Sequence, residues 1–141
     1  MELTLAILKP DSVAAGNSGK ILAYLEEKGF HIRGLRKLRL STEQARAFYA
    51  VHAERPFYNS LVEFMTSGPV MPVALERENA VAYLREVMGA TDVAKAALGT
   101  VRNLFGTSIE RNAIHGSDSA ENAAIESGFF FATTELIAGR Y

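Results

Sequence analysis

The residue best placed for chemistry is His115, in the run Asn112-Ala113-Ile114-His115-Gly116-Ser117-Asp118-Ser119. An apolar pair precedes it and a small, polar turn follows. Asp118-Ser119-Ala120-Glu121 reads as a capping-box-like helix start with Asp118 at the cap. The imidazole is therefore expected just ahead of a helix N-terminus, whose free N–H groups and positive dipole end suit a phosphate. Gly116 lets the backbone turn closely beside the ring. A nucleophilic histidine needs one nitrogen unprotonated and the other held as N–H by a partner. Glu126, on the following helix, is the candidate partner. Neither His31, in a strand beside Arg33, nor His52, on the expected core-facing stripe of its helix, has such a setting, and both read as structural.

Cations are available to meet an anion there. Lys9, Arg85 and Arg102 are far apart in sequence, yet each sits beside a turn or a helix end. The chain carries 15 Lys+Arg against 16 Asp+Glu, for a net charge of −1. That balance argues against the broad basic face of nucleic-acid binding but leaves room for a concentrated pocket. Gly19-Lys20 has the look of a phosphate-binding Walker loop, but Ala14 stands where that loop needs Gly, and Ile21 where it needs Ser or Thr. Lys20 is accordingly read as a surface residue.

The elements that must position these groups follow from local pattern. Leu3, Leu5 and Ile7 alternate with Thr4 and Ala6 as in a strand, which Lys9-Pro10-Asp11 stops. Residues 18–28 read as a helix ended by Gly29, and 30–40 as a strand whose apolar phase shifts between Ile32 and Leu38, marking a bulge. Ser41-Thr42-Glu43-Gln44 has the form of a capping box, opening a helix that carries Ala45, Phe48, Tyr49 and His52. A short helix over 59–66, a strand over 70–75 with a bulge or edge at Pro72, and a helix from Asn79 to Gly89 come next. Residues 90–114 show no regular element of length, but Leu104, Phe105 and Ile109 are too apolar for free disorder, so an ordered functional loop is expected. A helix ending near Gly128 and a last strand at Phe129-Phe130-Phe131 complete the chain. Setting small helices aside, this is an α+β, ferredoxin-like βαββαβ sandwich with a four-stranded antiparallel sheet, in one domain over 1–141. There is no cysteine, hence no disulfide and no Cys-ligated zinc. Neither a signal peptide nor a membrane-length apolar run is present, so a cytoplasmic protein without membrane association is expected.

The histidine run resembles the active-site signature of nucleoside diphosphate kinases, and the resemblance covers nearly the whole chain. Leu5 to Asp11 is similar to the family's first strand and phosphate-binding lysine; Arg55-Pro56-Phe57-Tyr58, Met65-Thr66-Ser67-Gly68-Pro69, Gly89-Ala90-Thr91 and Gly99-Thr100-Val101-Arg102 recur in the family's order. The resemblance implies transfer of the γ-phosphate of a nucleoside triphosphate to a nucleoside diphosphate, by ping-pong catalysis through a phosphohistidine at His115. It implies that Glu126 orients His115 and that Ser117 sits beside it. Lys9 and Arg102 would hold the transferring group with Tyr49 near Lys9, while Arg85 and Thr91 would bind the β-phosphate. Asn112, with Lys9, would bind the ribose hydroxyl, and the base would rest between Phe57 and Ile109. Mg²⁺ would bridge the phosphates with Asp118 acting through water. A homo-oligomer, a tetramer or hexamer built from dimers, is likewise implied.

The chain departs from the family pattern in the long loop. Val93 and Leu98 stand where Pro is common, Leu104 where Asp is common, and Val101 replaces a usual Ile. None of these carries the chemistry; they bear on loop rigidity and packing. Two other readings are weaker. An RNA-binding sheet needs basic residues beside exposed aromatics, and Phe129-Phe130-Phe131 is flanked by Gly128, Ala132 and Thr133. A catalytically retired homologue would be expected to have lost some of Lys9, Arg85, Arg102, Asn112 and His115, and all are present.

Overall fold

The computed structural model describes residues 1–136, and its sheet is built around β1 (Glu2–Leu8). β3 (Met71–Arg77) pairs antiparallel along one side of β1 and β4 (Ile114–Gly116) along the other, while β2 (His31–Leu35) adds to the far side of β3. The sheet is the expected four-stranded antiparallel one, in the order β2-β3-β1-β4. β1 is buried without interruption from Thr4 to Leu8. It therefore lacks the wet face that its alternation of Leu with Thr and Ala suggests, because helices cover both faces.

On one face Ala6 and Leu8 pack with Ile21 and Leu25 of α2 (Ser18–Glu27), Leu84 and Met88 of α5 (Ala80–Met88) and Val101 of α6 (Val101–Phe105). On the other, Leu5 and Ile7 pack with Ala45 of α3 (Thr42–Phe48), Val62 and Met65 of α4 (Tyr58–Met65) and Phe130 of α7 (Ala120–Phe130). A one-turn helix, α1 (Pro10–Ala14), follows β1 directly; Pro10 suits its first position because the missing N–H has no helical partner to lose. The capping box at Ser41 forms as expected: Gln44 N–H donates to Ser41 Oγ at 3.1 Å and Ser41 N–H to Gln44 Oε1 at 2.9 Å. The bulge in β2 falls between Ile32 and Gly34. Lys20 is exposed in the first turn of α2.

Several expectations need correction. Phe129-Phe130-Phe131 is not the last strand: Gly128 does not end α7, which runs on to Phe130. Phe130 and Phe131 are buried on the α3–α4 side of the sheet, and that burial outweighs the β-preference of three aromatics. The fourth strand is instead the short Ile114–Gly116, so His115 lies on a strand, and α7 follows it. Ser119, not Asp118, caps α7, accepting from Asn122 N–H at 3.1 Å. Residues 90–114 are more regular than expected, holding a 3₁₀ turn at Val93–Lys95 as well as α6. α3 stops at Phe48, so His52 falls in a separate 3₁₀ turn, Ala50–His52, rather than on the core-facing stripe of a long helix. Pro72 lies in β3, which is interior to the sheet, but at the end where the β2 ladder gives out.

Candidate active site

His115 is fixed from the backbone outward. β4 pairs with β1, setting His115 opposite Ile7, and Ser117 N–H donates to Leu5 C=O at 3.0 Å. Immediately before it, Ala113 adopts φ 76°, and Ile114 N–H donates to Asn112 C=O at 2.9 Å. That is a γ-turn, a strained conformation for a residue with a side chain. The start of α1 grips the turn. Ala113 N–H donates to Asp11 Oδ2 at 3.1 Å, and Ala113 C=O accepts from Ser12 Oγ at 2.8 Å and Lys9 N–H at 3.0 Å. Burial raises the Asp11 carboxyl above its ordinary value.

The imidazole itself has one committed nitrogen. Nε2 lies 2.7 Å from Glu126 Oε1, and the same oxygen accepts from Ser117 Oγ at 2.9 Å. With Nε2 holding its proton toward the carboxylate, Nδ1 is left with a lone pair, and it makes no hydrogen bond among the described residues. Phe48 and Tyr49 meet the ring edge-on, with centroids at 5.5 and 6.1 Å. Tyr49 is buried, and burial followed by the charge of Glu126 pushes its phenol well up, so it stays a neutral hydroxyl.

Beside the histidine lies a concentration of positive charge. Arg102 is 8% exposed; its guanidinium donates to Gly89 C=O at 3.0 Å and Ile114 C=O at 2.8 Å, and its buried Nε has no hydrogen-bond partner among the described residues. Burial, then the neighbouring Arg85 charge, brings Arg102 down to about 10. Lys9 Nζ donates to Asn112 Oδ1 at 2.9 Å and Glu110 C=O at 3.0 Å, and burial lowers it to about 8. Neither cation has a carboxylate within ion-pair distance among the described residues. Buried cations held only by neutral groups are costly, and an anion entering the cleft relieves that cost. Asn112 completes the lattice by donating from Nδ2 to Thr91 C=O at 3.1 Å.

These groups open into one cavity of about 590 Å³, a size suited to a small ligand. Lys9, Tyr49, Phe57, Arg85, Thr91, Arg102, Ile109, Asn112, His115, Asp118 and Glu126 all line it, and Ser117 lies buried behind Glu126. Phe57 and Ile109 are exposed at its mouth, as apolar surface free to cover a flat ring would be. Asp118 is exposed, and the hydrogen bond from Asn122 Nδ2 at 2.6 Å holds its carboxyl below the ordinary carboxylate range. No group of three or more His, Asp or Glu side chains able to cage a metal exists among the described residues.

Several lining residues were not singled out by sequence reasoning, among them Phe48, Ser60 and Glu110; His52, which reads as structural, has its ring 5.6 Å from that of Phe57 inside the cavity. Ser60 and Glu110 carried no signal, because each matters only through the other, fifty positions away.

Residues 2–136 match the family model described as nucleoside diphosphate kinase. A protein of that description from Chlorobaculum parvum is 58% identical over 137 residues, which is 97% of this chain and 98% of that protein. One from Prosthecochloris aestuarii is 56% identical over 97% of each. Among solved structures, the Aquifex aeolicus nucleoside diphosphate kinase superposes with a TM-score of 0.94 at 46% identity, covering 96% of this chain and 99% of that one. A halophilic nucleoside diphosphate kinase from Halobacterium salinarum in complex with CDP also reaches 0.94, at 39% identity, covering 99% and 93%.

Proposed function

The chain belongs to the nucleoside diphosphate kinase family of phosphotransferases, and from that premise we propose that His115 carries the phosphoryl group through a ping-pong exchange. The observation that carries this reading is the His115 Nε2 to Glu126 Oε1 hydrogen bond of 2.7 Å, which leaves Nδ1 as the nucleophile. Nδ1 attacks the γ-phosphorus of a nucleoside triphosphate; the N–P bond forms as the bond from phosphorus to the bridging oxygen breaks, and the diphosphate leaves. In the second half, a terminal oxygen of another diphosphate attacks the same phosphorus, and Nδ1 recovers its lone pair. Glu126 stabilises positive charge on the ring, and Ser117 holds the carboxylate in place.

Lys9 and Arg102 supply preorganised charge for the transferring oxygens, with the Tyr49 hydroxyl beside them. Arg85 and Thr91 take the β-phosphate, Asn112 and Lys9 the ribose hydroxyl, and Phe57 and Ile109 the two faces of the base. Mg²⁺ suits this donor set as an ion carried in by the phosphates: Asp118, ionised at the mouth, would hold it through water. Such an ion adds charge neutralisation along the phosphates. Stacking tolerates any base, so purine and pyrimidine, ribose and deoxyribose forms are all substrates, within a spread of about 10³ in specificity constant.

Leu98 and Leu104 are strongly exposed on the segment that carries Thr91 and Arg102, which supports a homo-oligomer, a tetramer or hexamer built from dimers, whose subunits cover them. No helix among the described residues is long and apolar enough to cross a membrane; a cytoplasmic role in balancing nucleotide pools fits that. Initial rates with ATP and GDP varied together test the mechanism. Parallel double-reciprocal lines are expected, and intersecting lines would show direct transfer in a ternary complex instead.

A further inference from the structure

The two walls of the base slot come from distant parts of the chain, and one hydrogen bond joins them. Phe57 immediately precedes α4, and Ser60 stands three residues later on the same helix face. Ile109 belongs to the long segment before β4, and Glu110 follows it. Ser60 Oγ lies 3.2 Å from Glu110 Oε2. The Glu110 backbone is tied as well, since its C=O accepts from Lys9 Nζ at 3.0 Å. All four of Phe57, Ser60, Ile109 and Glu110 line the cavity. Glu110 Oε1 has no hydrogen bond among the described residues, so a carboxylate oxygen is available at the edge of the slot. A carboxylate only accepts.

We infer that Glu110, held by Ser60, reads the polar edge of the base and biases this site toward bases that present adjacent N–H donors. Guanine offers two such donors side by side on its Watson–Crick edge, matching the two oxygens of a carboxylate. Adenine and cytosine offer one amino group each. Uracil sets a carbonyl oxygen on either side of its one N–H and meets the carboxylate with repulsion. The inference rests on the nucleotide-transfer reading of the cavity and adds to it a graded preference, GDP over ADP and CDP over UDP, within the broad range that stacking permits.

The test is a comparison of kcat and KM for GDP, ADP, CDP and UDP as acceptors with ATP as donor, in wild type, Glu110→Ala, Glu110→Gln and Ser60→Ala. Wild type is expected to favour GDP over UDP. Glu110→Ala and Glu110→Gln should reduce the GDP-to-UDP ratio of kcat/KM by about fivefold, the size of one exposed charge-assisted hydrogen bond, and do so through KM. Ser60→Ala should move the ratio the same way by less, because the carboxylate is loosened rather than removed. An unchanged ratio in both Glu110 variants overturns the inference, and so does an equal loss on GDP and UDP, which would make Glu110 a brace for the segment and not a reader of bases. Absence of transfer from wild type to all four acceptors would count against the nucleotide-transfer reading itself.

Discussion

His115 and Glu126 are joined at 2.7 Å through Nε2, and Glu126 also takes the Ser117 hydroxyl on the same oxygen. A histidine on a strand and a carboxylate in the second turn of the next helix thus form a unit whose second ring nitrogen makes no hydrogen bond among the described residues. Glu126→Ala breaks that unit at its centre. It is expected to lower kcat by about 10²-fold or more, as removal of a group that fixes the tautomer and charge of a catalytic imidazole does. Ser117→Ala should cost less. Stopped-flow measurement of phosphoenzyme formation checks this; an unaltered rate in Glu126→Ala would mean that the carboxylate only packs.

Lys9 is expected to set the alkaline limit of the free enzyme. Burial lowers it to about 8, so the cation is present below that pH and is lost as pH rises through it. The profile of kcat/KM, which reports free enzyme, should fall above about pH 8. Lys9→Arg should abolish that limb, because a guanidinium does not titrate there. The linked stability runs the other way. Between the lowered folded value and the ordinary lysine range the unfolded chain binds the extra proton, so the unliganded protein gains stability from Lys9 as pH rises across that window. A flat kcat/KM profile to pH 9.5 would place Lys9 outside phosphate binding.

Gly89 ends α5 at φ 88°, and a Cβ there would clash with Thr100 Oγ1. Its C=O also holds Arg102. Gly89→Ala is expected to destabilise by about 2 kcal/mol or more, from left-handed strain and the clash together. Because Thr100 caps α6, which carries Arg102, KM for nucleotides should rise in the same variant. Urea denaturation and steady-state kinetics on one preparation read both effects; a change in neither would show that the Gly89–Thr100 approach relaxes at no cost.

How much of this was legible beforehand depends on range. The capping box at Ser41, the β2 bulge and the grouping of His115 with Glu126 are local or nearly so, and short-range pattern carried them. The three-residue β4 is too short to show a period, and it exists because β1 pairs with it; Phe129 to Phe131 look like a strand because aromatics favour sheets, yet the core beneath α3 takes Phe130 and Phe131 as helix end and cap. The placement of His52 differs for the same reason: α3 ends at Phe48, so its ring lies beside Phe57 and not on a core-facing stripe.

The segment holding Val93 and Leu98 gives a stability prediction. Val93 is the first residue of a 3₁₀ turn, and Asp92 before it is extended at φ −78°, ψ 112°, as a residue preceding Pro must be. Leu98 is 92% exposed, so little packing is lost on replacing it. Val93→Pro and Leu98→Pro together are expected to stabilise by roughly 0.4–1 kcal/mol per site, acting on the unfolded chain, with activity kept. Thermal melts and sedimentation velocity follow the outcome. A less stable double variant that sediments as smaller species would falsify the view that this backbone accommodates Pro. Wild type sedimenting as a monomer at micromolar concentration would refute the oligomer.

The central claim is that phosphoryl groups rest on His115 Nδ1 between donor and acceptor. The most direct test is to incubate wild type and His115→Ala with ATP labelled in its γ-phosphate, separate the protein from nucleotide, and add GDP. Wild type is expected to carry stoichiometric label, lost in acid and retained in base as an N–P bond requires, and passed entirely to GTP. No label is expected on a folded His115→Ala. Label of the same stability on His115→Ala, or label on wild type that GDP does not discharge, would contradict the claim.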